Sequence, residues 1–233
     1  MAQDALTTTA ESFPFAEGKG LKGFVTDWSA DKQAFEVHWG KAMMWVFLLS
    51  DIFIFSCFLT GYMTVRLSTT EPWPNPSEVF ALTIFGNHIP LILIAIMTFV
   101  LISSSGTMAM AVNFGYRRDK KKTAALLLTT AAFGASFVGM QAFEWTKLIV
   151  EEGVRPWSNP MGARQFGSTF FMITGFHGAH VTAGVIYLLV VAKRVMTGFY
   201  DRKGSYDTVE ICGLYWHFVD LVWVFIFAFF YLW

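Results

Sequence analysis

The sequence predicts an all-α fold, a polytopic membrane bundle of five transmembrane helices. Of the 233 residues, 55% are hydrophobic and only 15% are charged, whereas soluble domains carry about 25% charged residues. Five stretches contain few ionisable side chains over roughly 20 residues, the length that crosses a bilayer core of about 30 Å. Helices are expected there because a helix satisfies its own backbone hydrogen bonds in lipid.

The predicted spans are separated by polar loops. In chain order they cover residues 43–65, 80–114, 123–146, 166–192 and 211–233. The second is longer than a perpendicular crossing requires, so we expect it to tilt or to place its first turn among the headgroups. Residues 1–41 are polar and lack the apolar core of a signal peptide. This segment is a predicted cytoplasmic tail, ahead of one membrane domain over 42–233.

The distribution of positive charge predicts the orientation of the bundle. The tail and the loops after the second and fourth spans hold thirteen of the 17 Lys and Arg residues, and the other two loops hold four. The positive-inside rule therefore places the N-terminus in the cytoplasm and the C-terminus outside it. Acidic residues also number 17, so no net basic field favours nucleic acid as a partner.

Several ionisable or amide side chains fall inside the predicted spans. An Asp at the centre of a membrane helix costs roughly 2.5–3.5 kcal/mol to insert, so each such group needs a partner. We predict an interhelical polar network formed by Gln141, Glu144, His177, His180, Glu210, His217 and Asp220. From depth alone, His180 and Asp220 are expected to meet. A proton path, or a metal site built on His177, His180 and His217, remains an alternative interpretation.

The carboxylate of Asp51 is the charged group of the first span. Its helix face otherwise carries Phe47, Phe55, Phe58 and Tyr62, which offer it no charged partner. The sequence leaves open whether Asp51 faces another subunit or a water-filled channel, and a proton-related role is one interpretation.

Small residues recur along one face of the fourth span, opposite the face that carries its histidines. They are Ser168, Gly175, Ala179 and Thr182. Small side chains at helical spacing allow two helices to approach closely in lipid. The fourth span is therefore predicted to be packed on both sides.

Two long motifs in the last two spans resemble those of subunit III of haem–copper terminal oxidases. They are Gly167-Ser-Thr-Phe-Phe-Met-Ile-Thr-Gly-Phe-His-Gly-Ala-His-Val181 and Tyr215-Trp-His-Phe-Val-Asp-Leu-Val-Trp223. Gln141, Glu144 and Trp145 match the Gln-x-x-Glu-aromatic motif of that family, and 104–106 is similar to its Ser-Ser-Gly stretch. The resemblance covers about 41–233, and the predicted spans match the last five of the seven helices in longer members.

The resemblance implies a subunit of the aerobic respiratory chain without a catalytic centre, metal site or cofactor site of its own. Haem and copper are expected on the catalytic subunit I, beside which this chain would pack together with subunit II and small subunits in a bacterial inner membrane. The family also contains bound phospholipid and helps to sustain proton uptake. Its intramembrane carboxylate, usually Glu, corresponds to Asp51, which is one methylene shorter. Cytochrome c and quinol both remain open as electron donor, and membership of a respiratory supercomplex also remains open.

Two other function classes compete with this interpretation. Buried Asp51, His180 and Asp220 also suit a free-standing transporter, although such proteins often show inverted repeats and broken helices, and the sequence shows neither. A membrane redox enzyme would use His177, His180 or His217 to bind a haem of its own.

Overall fold

The computed structural model describes residues 38–84, 87–89 and 91–232, so most of the predicted tail lies outside the described residues. In chain order the elements are α1 (Trp39–Ser68), α2 (Pro76–Val79), β1 (Leu82–Ile84), β2 (Asn87–Ile89), α3 (Ile92–Tyr116), α4 (Lys120–Val150), α5 (Arg164–Met196), α6 (Phe199–Lys203), α7 (Asp207–Phe227) and a π-helical turn (Ala228–Leu232). Within the described ranges, five helices are long and apolar enough to cross a membrane: α1, α3, α4, α5, and α7 with its π-helical turn. The predicted all-α bundle is confirmed.

The second span differs from its prediction at its N-terminal side. Helix α3 begins at Ile92, later than the predicted start near residue 80. The preceding chain forms the short helix α2, which Asn75 caps by accepting a hydrogen bond from Ser77 N, and the antiparallel hairpin β1–β2. Pro90 disfavours a helical conformation for the residue before it. The charge pattern alone hides this break, because residues 80–91 contain no Asp, Glu, Lys or Arg.

The other long helices extend beyond their predicted spans. Helix α4 starts at the Lys120–Lys122 run, and Asp119 caps it by accepting a hydrogen bond from Lys122 N at 3.2 Å. Helix α5 ends with Lys193 and Arg194 in its last turn, where positive charge complements the helix dipole. The apolar criterion marks only the apolar part of a helix, and these helices continue beyond it into charged sequence.

Helices α3, α4 and α5 pack side by side in chain order, and α7 packs across α3 and α5. Helix α1 is the least buried of the five and α7 the most buried. The indole of Trp216 lies at the centre of the bundle and donates to Ser104 Oγ at 2.9 Å. A Cβ at Gly134 would lie 2.4 Å from this indole, and one at Gly184 would lie 2.9 Å from it. Two glycines on different helices therefore make room for one tryptophan.

Alternate helices begin at opposite ends of the bundle. One end, called here the Lys41 end, contains Lys41 and Glu210, which form a salt bridge between α1 and α7. The other, called the Arg66 end, contains the loops after α1 and α4. These loops meet where Pro72 O accepts a hydrogen bond from Ala163 N at 3.0 Å.

Candidate functional site

The carboxylate of Asp51 faces the interior of its own bundle. It lies on the buried stripe of α1 together with Leu48, Phe55 and Tyr62, and only 4% of its surface is exposed. Its Oδ2 is 3.3 Å from Nε2 of His180 on α5. This approach is a charge contact and not an aligned hydrogen bond.

The imidazole of His180 is held by its other nitrogen. Its Nδ1 lies 2.8 Å from the carbonyl oxygen of Phe176. A carbonyl oxygen can only accept, so Nδ1 carries the hydrogen. Nε2 then attracts the carboxylate only if a proton resides on Nε2 or on Asp51. Either arrangement would leave the pair without net charge, which would reduce the penalty of burying a lone carboxylate.

A second polar group joins α4 to the π-helical turn. The amide Nε2 of Gln141 donates to Glu144 Oε2 at 2.7 Å, and Tyr231 Oη donates to Glu144 Oε1 at 3.1 Å. All three side chains are buried. One turn along α4, Lys147 binds the carbonyl oxygen of Ala81.

A third set of contacts connects α3 with α7. Ser105 Oγ lies 2.6 Å from His217 Nδ1, and Trp223 Nε1 donates to Thr98 Oγ1 at 3.0 Å. Asp220 lies one turn from His217 and beside the hydroxyl of Ser105. In the part of the chain that the structure describes, neither carboxylate oxygen of Asp220 makes an aligned hydrogen bond. These contacts, with that of Trp216, fix the rotation of α7 against α3.

The ring of His177 is buried among aromatic side chains. It stacks on Trp223 with ring centroids 5.5 Å apart, and Phe137 meets it edge-on at 5.9 Å. Neither ring nitrogen has a hydrogen-bond partner among the described residues. Here the imidazole packs as an aromatic ring.

The predicted network residues therefore lie in separate local contacts. Among the residues that the structure describes, no continuous chain of hydrogen bonds joins these contacts. His180 meets Asp51, and no described ion pair joins it to Asp220 as depth alone suggested. No group of three His, Cys, Asp or Glu side chains in the described part of the chain converges as metal ligands. Their role in holding helices together stays a prediction.

Comparison with known proteins assigns the chain to a family. The model of the family described as cytochrome c oxidase subunit III matches residues 29–233. The chain belongs to this family. A probable quinol oxidase subunit 3 of Staphylococcus saprophyticus is 31% identical over 85% of this chain and 90% of its own length. A cytochrome c oxidase subunit 3 of the tick Rhipicephalus sanguineus is 33% identical over 86% of this chain and 75% of its own length.

The chain is thus subunit III of a haem–copper oxidase. The sequence motifs that carry the family resemblance also supply most of the buried polar side chains of this subunit. His180 comes from the long motif of α5, Trp216 and His217 from that of α7, and Gln141 with Glu144 from α4.

The predicted small-residue face of α5 is mostly open in this subunit. Ser168, Ala179 and Thr182 are exposed. Gly175 is half-buried, and a Cβ there would lie 3.0 Å from the indole of Trp145 on α4. Within the described chain, close packing at this face is confined to the Gly175–Trp145 contact, and the remainder stays a prediction about a partner.

Sequence reasoning missed the partners of three predicted residues. The sequence does not single out Tyr231, places Lys41 in the tail, and includes Ser105 only in a family motif. Tyr231 carried a usable signal, because a buried tyrosine hydroxyl usually has a hydrogen-bond partner. Nothing in the sequence indicated that its partner would be Glu144.

Proposed function

We propose that this subunit is the non-catalytic third component of a proton-pumping terminal oxidase, in which it stabilises the catalytic haem–copper subunit and supports proton uptake. The observation that carries the proposal is the buried Asp51–His180 pair, whose facing atoms lie 3.3 Å apart. A buried carboxylate facing an imidazole within a membrane bundle suits proton handling, because such groups are expensive to insert and commonly mark proton relays.

The proposal extends to the assembly and its placement. Haem and copper belong to subunit I, and subunit II, small subunits and bound phospholipid complete the contacts of this chain. The membrane is the inner membrane of a bacterium, with the Lys41 end in the cytoplasm. The charge asymmetry of the loops supports this orientation, and the Staphylococcus relative supports the bacterial setting.

Affinity purification tests the assembly. The tagged full-length chain, extracted in mild detergent, should co-purify with a larger polytopic subunit that carries haem in its optical spectrum. Purified alone, the chain should give no Soret band stoichiometric with protein. A stoichiometric Soret band in the isolated chain, or solute transport by the chain alone in vesicles, would overturn the proposal.

A quinol oxidase is the second candidate for the parent complex. It is favoured by the Staphylococcus relatives, which are named probable quinol oxidase subunit 3, while the tick relative is named for cytochrome c oxidase. Oxygen consumption by the purified complex separates the two. Reduced cytochrome c should support turnover in one case, and a short-chain quinol should support it in the other.

A further inference from the structure

Helices α3 and α7 present a common outward surface within their membrane-spanning parts. On α7 this surface contains Leu221 and Val224, which are 54% and 47% exposed. On α3 it contains Gly106 and Ala109, both exposed, and a Cβ at Gly106 would have no neighbour within 4 Å. His217 is half-buried and lies on the same stripe of α7, because residues 217, 221 and 224 follow the helical repeat. These five residues are called here the α3–α7 surface.

The imidazole of His217 lies inside the hydrocarbon layer. Glu210, whose salt bridge with Lys41 marks the Lys41 end, precedes it on α7 by a rise of about 10 Å. The span continues beyond it to Leu232, a further rise of about 22 Å. Ionisable side chains at such a depth almost always face the interior of a bundle or pair with another polar group. Contact with lipid tails therefore explains an outward His217 poorly.

The inward side of this imidazole is joined to α3. Nδ1 of His217 lies 2.6 Å from Ser105 Oγ, and the same hydroxyl lies beside the carboxylate of Asp220. Asp220 is only 8% exposed, and neither of its oxygens makes an aligned hydrogen bond with the described residues. A hydroxyl has one hydrogen to donate, and an ionised carboxylate can only accept. A hydroxyl that serves Asp220 must accept the hydrogen of Nδ1, which leaves Nε2 as an acceptor.

We propose that the α3–α7 surface docks a transmembrane helix of the catalytic subunit, and that Nε2 of His217 accepts a hydrogen bond from a hydroxyl, amide or indole group of that helix. Ser105 accepts from Nδ1 and donates to Asp220, so the buried carboxylate sets the tautomer of the imidazole. Gly106 and Ala109 let the partner backbone approach closely, as small residues do between membrane helices.

The chemistry of the surface favours a different chain over a second copy of this one. In a symmetric contact each copy would meet the other with the same five residues. The other four side chains of the α3–α7 surface contain no hydrogen-bond donor, so Nε2 would stay unpaired. The inference rests on the proposed function, to which it adds the surface and the chemistry of the contact.

Two substitutions at His217 separate this contact from a role within the subunit. The side-chain amide of Gln reaches the position of Nε2, whereas the amide of Asn reaches only that of Nδ1. In the tagged full-length chain purified with its partner, His217→Gln should retain the haem-bearing subunit like the wild type. His217→Asn should lose that subunit about threefold faster after dilution in detergent, the effect of one typical hydrogen bond between membrane helices. A purely internal contact with Ser105 predicts the opposite order.

A third substitution tests lipid as the neighbour of the imidazole. His217→Phe keeps a flat ring but removes the acceptor, and it should lose the haem-bearing subunit at least as fast as His217→Asn. Leu128→Phe places the same ring at an exposed position of α4 and should behave like the wild type. Equal rates for the Gln and Asn variants, or wild-type retention by His217→Phe, would overturn the inference.

Photo-crosslinking in intact membranes identifies the occupant directly. Benzoylphenylalanine placed at Val224 should form an adduct that mass spectrometry of its peptides assigns to the haem-bearing subunit. An adduct with a second copy of this chain, or with lipid alone, would overturn the inference even where the two subunits co-purify. Absence of a haem-bearing subunit from the wild-type preparation would instead contradict the proposed function.

Discussion

At the Asp51–His180 pair, a backbone carbonyl sets the tautomer of a buried side chain. The carbonyl oxygen of Phe176 fixes the tautomer of the imidazole, and the tautomer directs Nε2 toward the carboxylate. Phe55 and Phe176 enclose the ring with centroids 5.6 Å and 4.7 Å away. The resemblance to the family implies Glu at this position, and the shorter Asp51 still reaches a partner within the same bundle.

Asp51→Asn should leave assembly intact, because an amide can contact His180 without burying a charge. If the pair supports proton uptake by the neighbouring subunit, turnover should fall or inactivation should come sooner, above all at alkaline pH, where protons are scarce. Steady-state oxygen consumption of the purified complex from pH 6 to 9 measures this. Asp51→Glu, which keeps the carboxylate and introduces the residue that the family resemblance implies, serves as the control. A pH profile identical to that of the wild type would refute a proton role.

Tyr231→Phe should destabilise the subunit, because it removes the hydroxyl that donates to the buried carboxylate of Glu144. A buried acceptor left unsatisfied costs about 1–3 kcal/mol, and membrane hydrogen bonds often measure less. Thermal unfolding of the purified chain in detergent reports the change. Tyr200→Phe is the matched control, since the buried Tyr200 hydroxyl has no hydrogen-bond partner among the described residues. Equal midpoints for the two variants would contradict the assigned role of Tyr231.

At the scale of the element, α4 shows which parts of a helix are predictable. Its buried stripe contains Thr130, Gly134, Phe137, Gln141 and Glu144, and the spacing of these residues predicts a single face because the helix repeats every 3.6 residues. The start of α3 differs from its prediction because residues 80–91, which include the hairpin, contain no Asp, Glu, Lys or Arg to mark a boundary. Pro90 and Gly86 were the available signals.

Gly134→Ala should destabilise the packing of α4 against α5 and α7. The new methyl would meet the Trp216 indole at 2.4 Å and Val185 Cγ2 at 2.8 Å, and overpacking of this kind typically costs about 1–3 kcal/mol. Gly139→Ala is the control on the same helix, where a Cβ has no neighbour within 4 Å and alanine favours the helix. The midpoint of thermal unfolding should therefore be lower for Gly134→Ala than for the wild type, and equal or higher for Gly139→Ala. The reverse order of midpoints would disprove the close contact.

At the scale of the whole molecule, the bundle leaves open surfaces that a partner would cover. Sequence periodicity gives the face of each residue and the rise per residue gives its depth, but neither gives the arrangement of the helices around the bundle. For this reason the depth of His180 suggested Asp220 as its partner, whereas the packing of α1 beside α5 supplies Asp51. The same limit explains why the predicted small-residue face of α5 is mostly exposed. A stripe suited to close packing does not specify which helix packs on it.

Ala179→Leu should lower the yield of the assembled oxidase if this face of α5 contacts the catalytic subunit. A larger side chain at an exposed small position prevents close helix approach without altering the bundle itself. Ala142→Leu is the matched control on α4, where Ala142 is also exposed. The amount of haem-bearing subunit recovered per tagged chain measures assembly. Normal recovery with Ala179→Leu would show that the face meets lipid.

The burial of Asp51 against His180 couples the charge of the carboxylate to that of the imidazole. An ion left alone in hydrocarbon costs several kcal/mol. If the pair takes part in proton transfer, a hydrogen ion that leaves it must therefore be replaced in the same event. Such a pair would relay hydrogen ions without storing them.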